Sequence, residues 1–278
     1  MLLTLPRAPR LAPVSSTADL ARATWAARRV AHEARVDAWI EPHLARRRRG
    51  EKHPVEDFLF TYYSYRPAQL RRWFPGTPDP AELSRRRPAV EWIRDLLAAT
   101  ASRPPHLGCF GLHEWAMVYR QTQEQVRHNA WPLRLGAAGT DAVVAGSRIR
   151  CSHFDAFRFY TEPARPLNLL QPTREAQHAL EQPGCLHANM DLYKHAYKLA
   201  PLVPAELIAD CFELARDIRT LDMRASPYDL AALGYEPVRI ETPEGRVRYV
   251  EAQRAFAERA APLRARLLAE CERLLASP

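Results

Sequence analysis

Three short stretches of the sequence each place a thiol, an imidazole and a carboxylate within seven residues of one another. Cysteine, histidine and acidic side chains are the ligands that proteins use for zinc and non-haem iron. The pattern predicts a metal site for zinc or iron, with His113, His153, His187 and His195 as candidate ligands. The sequence has neither finger spacing nor an HExxH pair, so these cysteines could equally be small buried residues. The three sets are Cys109, His113 and Glu114; Cys151, His153 and Asp155; and Cys185, His187 and Asp191.

The third stretch lies in residues 184–198, which flanking prolines and apolar spacing predict to be one helix. One face of this helix is polar, whereas the opposite face carries core residues. A solvated polar face is the ordinary explanation of such a pattern. Lysine is rare in this chain, however, with only Lys52, Lys194 and Lys198 among 40 basic residues, so amines on this face hint at a chemical role. The polar face consists of His187, Asp191, Lys194, His195 and Lys198.

Carboxylates beside aromatic residues form a second pattern, since Glu114 precedes Trp115 and Asp155 follows Phe154. An enzyme that cleaves an N-glycosidic bond needs aromatic side chains to hold the base. It also needs a carboxylate that activates water and stabilises positive charge on the sugar, or an amine that attacks the sugar carbon. Such neighbours are also ordinary in a protein core. This hypothesis assigns catalysis to Asp191, Asp155, Glu114 and Lys194, base binding to Trp115, Phe154 and Tyr63, and phosphate binding to Arg66, Arg120 and the run Arg46–Arg49.

A further polar cluster follows the helix predicted over residues 204–223, and Arg219 and Asp222 belong to it. We interpret the cluster as salt-bridged capping of the helix end. The functional alternative is a pair of arginines that reaches a phosphate.

The 278 residues carry a formal charge of +8 and have an isoelectric point near 9.5. This basicity favours a polyanionic partner, and DNA is the partner predicted here, although a GC-rich genome would also enrich arginine. Five cysteines without a CxxC pair favour a reducing cytoplasm over a disulfide framework. The sequence shows no signal peptide and no membrane span, so a cytoplasmic protein without a membrane partner is expected.

The spacing of apolar residues predicts a mainly α protein, with one helical domain over residues 17–278 after an extension of residues 1–16. Two short β-hairpin-like strand pairs are also expected. One lies within residues 131–151, where glycines separate short apolar runs. The other is a hairpin over residues 238–249 whose turn is Pro243–Gly245.

Five longer segments carry most of these residues: His53–Pro67, Gly108–Arg120, Cys151–Phe159, Glu181–Leu199 and Leu221–Gly245. In these segments, and from Trp25 to Leu275 as a whole, the chain resembles a bacterial family commonly labelled 3-methyladenine DNA glycosylase. The resemblance implies removal of alkylated purines from DNA. The chain has no helix-hairpin-helix followed by a catalytic aspartate, so no catalytic residue is carried over from the resemblance.

Three functional hypotheses follow from these patterns. The leading hypothesis is hydrolysis of the N-glycosidic bond of alkylated purines in DNA, a reaction that requires no cofactor. The alternative is a metal-dependent enzyme, with zinc or non-haem iron, that acts on a small molecule. The third is a nucleic-acid-binding protein without catalysis. The first requires the three candidate carboxylates to converge on one pocket, and the second requires histidines of the three stretches to surround a common cavity.

Overall fold

Helices make up 61 % of the chain, which confirms the prediction of a mainly α protein. The computed structural model describes residues 17–77 and 79–276, so the predicted extension of residues 1–16 lies outside the described residues. The α-helices are α1 (Thr17–Arg48), α2 (Phe58–Tyr62), α3 (Pro67–Arg71), α4 (Pro80–Ala101), α5 (Leu112–Ala116), α6 (Gly136–Ala145), α7 (Phe154–Phe157), α8 (Gln177–Leu180), α9 (Leu186–Lys198), α10 (Ala205–Ala225) and α11 (Pro243–Ala276). Two short 3₁₀ helices cover Arg165–Leu167 and Ala231–Leu233.

Helix α9 packs against both α10 and α11, and α4 packs along α11. Ten of the 13 residues of α9 are buried, so this helix is enclosed on nearly every side. Asp191 and His195, which an isolated amphipathic helix would expose to water, are therefore interior residues, whereas Lys198 is exposed. Burial of polar groups on this scale requires that other buried groups pair with them.

The predicted hairpin over residues 238–249 is wrong, because Pro243 begins α11. The Thr242 hydroxyl oxygen accepts a hydrogen bond from the Gly245 backbone N–H at 3.1 Å and so caps the first turn. Proline suits the first helical position, since its fixed φ matches the helix and its missing N–H would have no partner there. Gly245 and Tyr249 are buried four residues apart, which is helical spacing, although valine and arginine alternate in this segment.

The predicted strand pair within residues 131–151 is also not formed. Helix α6 occupies the middle of this segment, and Thr140 and Val144 are buried one turn apart on it. Packing of one helical face against the core thus outweighs the strand preference of the valines. Within the described residues, extended pairing is limited to isolated bridges between Leu133 and Tyr228 and between Ile149 and Asn168.

One hydrophobic cluster extends from Val36 on α1 to Leu274 on α11, and a smaller one contains Val118 and Tyr228. The helices that carry the candidate site therefore rest on a continuous core. No helix in the described part of the chain is long and apolar enough to cross a membrane.

The turn before α5 has an unusual backbone conformation. Phe110 and Gly111 both lie in the left-handed region, with φ of 49° and 70°. A non-glycine residue there costs about 1–2 kcal/mol, so the packing around Phe110 must compensate. A Cβ on Gly111 would make a tight contact of 3.3 Å with the Tyr249 ring, and the left-handed φ itself favours glycine. The turn directs His113 and Glu114 into the interior, where both are buried.

Candidate functional site

The three candidate carboxylates line one pocket of about 200 Å³. Glu114 comes from α5, Asp155 from α7 and Asp191 from α9, so the fold brings together segments that are far apart in the sequence. His153 and His187 line the same pocket. The aromatic residues around it are Phe58, Tyr62, Tyr63, Phe159 and Tyr228.

Asp191 is the most fully bonded of these carboxylates. Its Oδ1 accepts a hydrogen bond from the Tyr63 hydroxyl at 3.0 Å, and its Oδ2 contacts His153 Nε2 at 3.1 Å and the Lys194 ammonium. Burial alone would raise the pKa of Asp191, but the Lys194 charge and the His153 hydrogen bond hold the pKa well below its usual range. Asp191 is therefore a buried carboxylate that stays ionised at neutral pH.

Lys194 joins two carboxylates, since its ammonium donates to Asp155 Oδ2 at 2.9 Å as well as to Asp191. Burial would lower the pKa of Lys194, but the two carboxylates raise it above its usual value. The same contact lowers the pKa of Asp155 against the effect of burial. A protonated amine has no lone pair, so in this state Lys194 holds two carboxylates in place and cannot act as a nucleophile.

His153 is held in one tautomer. Its Nδ1 accepts a hydrogen bond from the Ala156 backbone N–H at 3.2 Å, so Nε2 carries the hydrogen and donates to Asp191. Glu181 Oε1 lies 3.5 Å from the same Nε2 and accepts a hydrogen bond from Gln177. With both ring nitrogens in hydrogen bonds, the imidazole orients Asp191 and has no free lone pair.

A second buried network lies beside the first and centres on Arg219. This guanidinium donates to Glu114 Oε1 at 3.0 Å and to Asp222 Oδ2 at 3.1 Å. Its Cζ also lies 3.8 Å from the centroid of the Phe58 ring, a cation–π contact at the pocket wall. The other oxygen of Asp222, Oδ1, contacts His113 Nε2 at 2.7 Å.

These contacts set the charge of the second network. Burial would lower the pKa of His113, but the Asp222 carboxylate raises it well above its usual value. Burial raises the pKa of Glu114, and the nearby charge of Asp222 raises it further. Burial lowers the pKa of His187 to about 3, and the charge on His113 adds to the effect. At neutral pH His113 is therefore protonated and His187 is neutral.

His187 lies between the other two histidines, with ring centroids 4.4 Å from His113 and 5.5 Å from His153. The three histidines of the sequence pattern thus meet in one region. No group in the described part of the chain hydrogen-bonds either ring nitrogen of His187. Two sets of side chains have ligand atoms within 4.8 Å of one another and could hold a metal ion: His113, His187 and Asp222, and His153, Glu181 and Asp191.

Two of the three aromatic residues that were assigned to base binding lie away from the pocket. Trp115 is fully buried in the core, where its Nε1 donates to the Ala225 carbonyl at 2.8 Å. Phe154 is half-buried beneath the Arg174 guanidinium, 5.2 Å from its ring centroid. Tyr63 lines the pocket and bonds directly to a candidate carboxylate.

Three of the polar candidates also lie elsewhere. Arg66 is exposed at the start of α3, and Arg120 is exposed with its guanidinium 5.1 Å from the Tyr119 ring centroid. Neither arginine lines the pocket. His195 is buried on α9 but lies next to Trp92, 5.9 Å between ring centroids, and belongs to neither set of possible ligands.

A larger cleft of about 650 Å³ adjoins the pocket and shares Phe58, Arg127 and His128 with it. Arg47 and Lys52, at and just after the end of α1, also line this cleft. Basic side chains therefore lie beside the acidic pocket.

The basic run at the end of α1 contributes unevenly to that cleft. Arg46 forms a hydrogen bond to Asp57 Oδ1 at 2.6 Å, and Arg49 pairs with Glu51 at 2.7 Å. Arg47 lines the cleft. The predicted phosphate-binding run is thus partly neutralised by its own neighbours.

Sequence reasoning assigned no role in the site to several residues that form it. Arg219 and Asp222 were interpreted as capping, yet both are almost completely buried and pair with α5. Their spacing of three residues on α10 was the available signal, because it places both on one helical face. Glu181 and the wall residues Phe58, Tyr62, Phe159 and Tyr228 carried no spacing signal of their own.

Comparison of the chain with protein-family models, with curated proteins and with solved structures gives no match.

Proposed function

We propose that the protein hydrolyses the N-glycosidic bond of alkylated purines in DNA, with the extruded base bound in the pocket. One observation carries this proposal: Glu114, Asp155 and Asp191 line a single pocket that five phenylalanine and tyrosine rings also line. Acidic groups between aromatic rings are what cleavage of a base from its sugar requires.

The aromatic walls suit a flat, positively charged ligand. Tyr62, Phe159 and Tyr228 line the pocket, while the Phe58 ring lies between Tyr62, 4.9 Å away between centroids, and the Arg219 guanidinium. A purine alkylated on a ring nitrogen is planar and often cationic, and cations are attracted to the faces of aromatic rings.

Asp191 and Asp155 have different roles in the proposed reaction. Asp191, whose side chain is 4 % exposed, is an ionised group suited to stabilise the positive charge that develops on the sugar. Asp155 is more accessible, at 19 %, and is the group to take a proton from the attacking water. The water oxygen bonds to the sugar carbon while the carbon–nitrogen bond breaks, and the base leaves with that electron pair.

The basic cleft provides the contacts that DNA needs outside the pocket. Arg47 and Lys52 line it outside the pocket, and Arg127 lines both the cleft and the pocket. Each phosphate that such side chains neutralise releases about 0.9 counterion, so affinity for duplex DNA should fall steeply with salt. A base that reaches the pocket must leave the duplex, which is easiest for a damaged base.

Base release from methylated DNA tests the proposal directly. Asp191→Asn and Asp155→Asn each remove a charge at nearly constant shape, so each should slow release by about 100-fold or more. Asp95→Asn is the matched control, because Asp95 is exposed on α4 and lines no part of the pocket. Thermal melting of each variant separates loss of chemistry from loss of fold.

Two outcomes would contradict the proposal. One is full activity in both pocket variants, since the carboxylates would then have no part in the reaction. The other is wild-type protein that binds methylated DNA but releases no base, which would favour a nucleic-acid-binding protein without catalysis.

A further inference from the structure

We propose that His113, His187 and Asp222 bind one divalent transition-metal ion, zinc or iron(II), beside the pocket. This site goes beyond the proposed hydrolysis and does not depend on it. Two histidines and one carboxylate are a common ligand set for both metals, and it leaves further coordination positions open.

The ligand atoms are already close together. His113 Nε2 and Asp222 Oδ1 are 2.7 Å apart, and all three ligand atoms lie within 4.8 Å of one another. Ligands bound at about 2.1 Å are roughly 3.0 Å apart in an octahedron and 3.4 Å apart in a tetrahedron. About 1 Å of side-chain movement, with release of the His113 Nε2 proton to solvent, is therefore enough to place an ion between them.

The surroundings orient one of the ligands as metal sites usually do. Arg219 donates to Asp222 Oδ2, which leaves Oδ1 directed toward His113 Nε2. Such an outer contact fixes the carboxylate of a metal site.

His187 has ring nitrogens that are available to a metal ion. Its ring is half-buried between two other imidazoles, and no described group hydrogen-bonds either of its nitrogens. A neutral imidazole without a protein partner can donate a lone pair to a metal ion. Because His187 lines the pocket, an ion bound to it would lie beside the pocket wall.

The neighbouring set of His153, Glu181 and Asp191 does not offer an equal site. The Lys194 ammonium already contacts the Asp191 oxygen that faces His153. A fixed positive charge at that oxygen repels a second cation, so the proposal is for a single ion in the first set.

The test is metal binding by the full chain, measured without any activity assay. Protein stripped with chelator and titrated with Zn²⁺ or Co²⁺ in a calorimeter should bind about one ion per chain, and bound Co²⁺ should show visible absorption. His187→Ala should weaken binding by about 100-fold or more, because it removes a ligand. His128→Ala is the matched control, since His128 is a half-buried histidine of the same pocket outside both ligand sets.

Further variants separate loss of a metal ligand from loss of the fold. If His187→Ala does not fold, His187→Gln keeps most of the volume and polarity while removing the imidazole. Asp191→Asn should leave metal binding intact, so failure of the proposed hydrolysis and failure of the metal site can be told apart. Absence of binding by the wild-type chain would overturn the proposal. Binding lost in His153→Ala but retained in His187→Ala would overturn it as well.

Discussion

Replacing Lys194 with methionine would leave two carboxylates without the cation that they share. The side chain of Lys194 is 14 % exposed, and those of Asp191 and Asp155 are 4 % and 19 % exposed. Methionine has a similar length and fills much of the same space. The variant therefore tests the loss of charge more than the loss of packing.

Removal of one partner from a buried ion pair costs about 3–5 kcal/mol, because the remaining charge stays buried. Asp155 is nearer to solvent and also pairs with Arg158 at 3.1 Å, so the lower end of that range applies. We expect Lys194→Met to lower the free energy of unfolding by about 3 kcal/mol at pH 7. In a chain of this size, such a loss lowers the melting temperature by roughly 6 °C.

The loss should depend on pH with a definite sign. In the wild type the pKa of Asp191 is lowered, so its contribution to stability is present above the unfolded pKa of about 3.9 and is lost as pH falls through the folded pKa. In Lys194→Met the buried carboxylate has no cation, so its pKa should rise and protonation should stabilise the variant as pH falls. The difference in stability between the two proteins should therefore be largest near pH 7 and narrow toward about pH 4.

Denaturant unfolding of both proteins over this pH range measures the effect. Lys198→Met is the matched control, because Lys198 lies one turn further along the same helix and is exposed. It should change the free energy of unfolding by no more than about 0.5 kcal/mol. Two results would refute the role of Lys194 as a cation shared by two carboxylates. One is a change in the free energy of unfolding as small as that of the control, and the other is a change that does not depend on pH.

Two further predictions concern the fold around the site. Gly245→Ala should destabilise the protein by about 1–3 kcal/mol in thermal melting, since a Cβ there would overlap the Arg239 carbonyl; unchanged stability would argue against the start of α11 as described. Trp115→Phe should destabilise by about 1–3 kcal/mol, because the Ala225 carbonyl loses its hydrogen bond, while base release should change less than about 10-fold. A far larger loss of base release in folded Trp115→Phe protein would mean that Trp115 contacts the base.

Helical spacing placed His187, Asp191 and Lys194 on one face of α9, and the structure has all three next to the pocket or its carboxylates. The same spacing could not show whether that face is exposed to solvent or buried. Burial of α9 depends on α10 and α11, which approach it from distant parts of the chain. A pattern of single residues carries no information about such neighbours.

The largest error concerned the hairpin over residues 238–249. Alternating valine and arginine favours a strand, whereas Thr242 and Pro243 favour the start of a helix. Both signals are local, and burial of Gly245 and Tyr249 at helical spacing in the tertiary structure decides between them. Propensity is a weak guide where packing against a core favours the other conformation.

Residue types and their order along the chain were enough to identify its helical character and its candidate acids and histidines. The sequence could not show that Arg219 and Asp222 of α10 pair with Glu114 and His113 of α5, or that Trp115 belongs to the core. Those contacts join groups more than a hundred residues apart, and only the packing of helices brings them within hydrogen-bonding distance. The charge of each group follows from that packing, because burial and the nearest partner set a pKa.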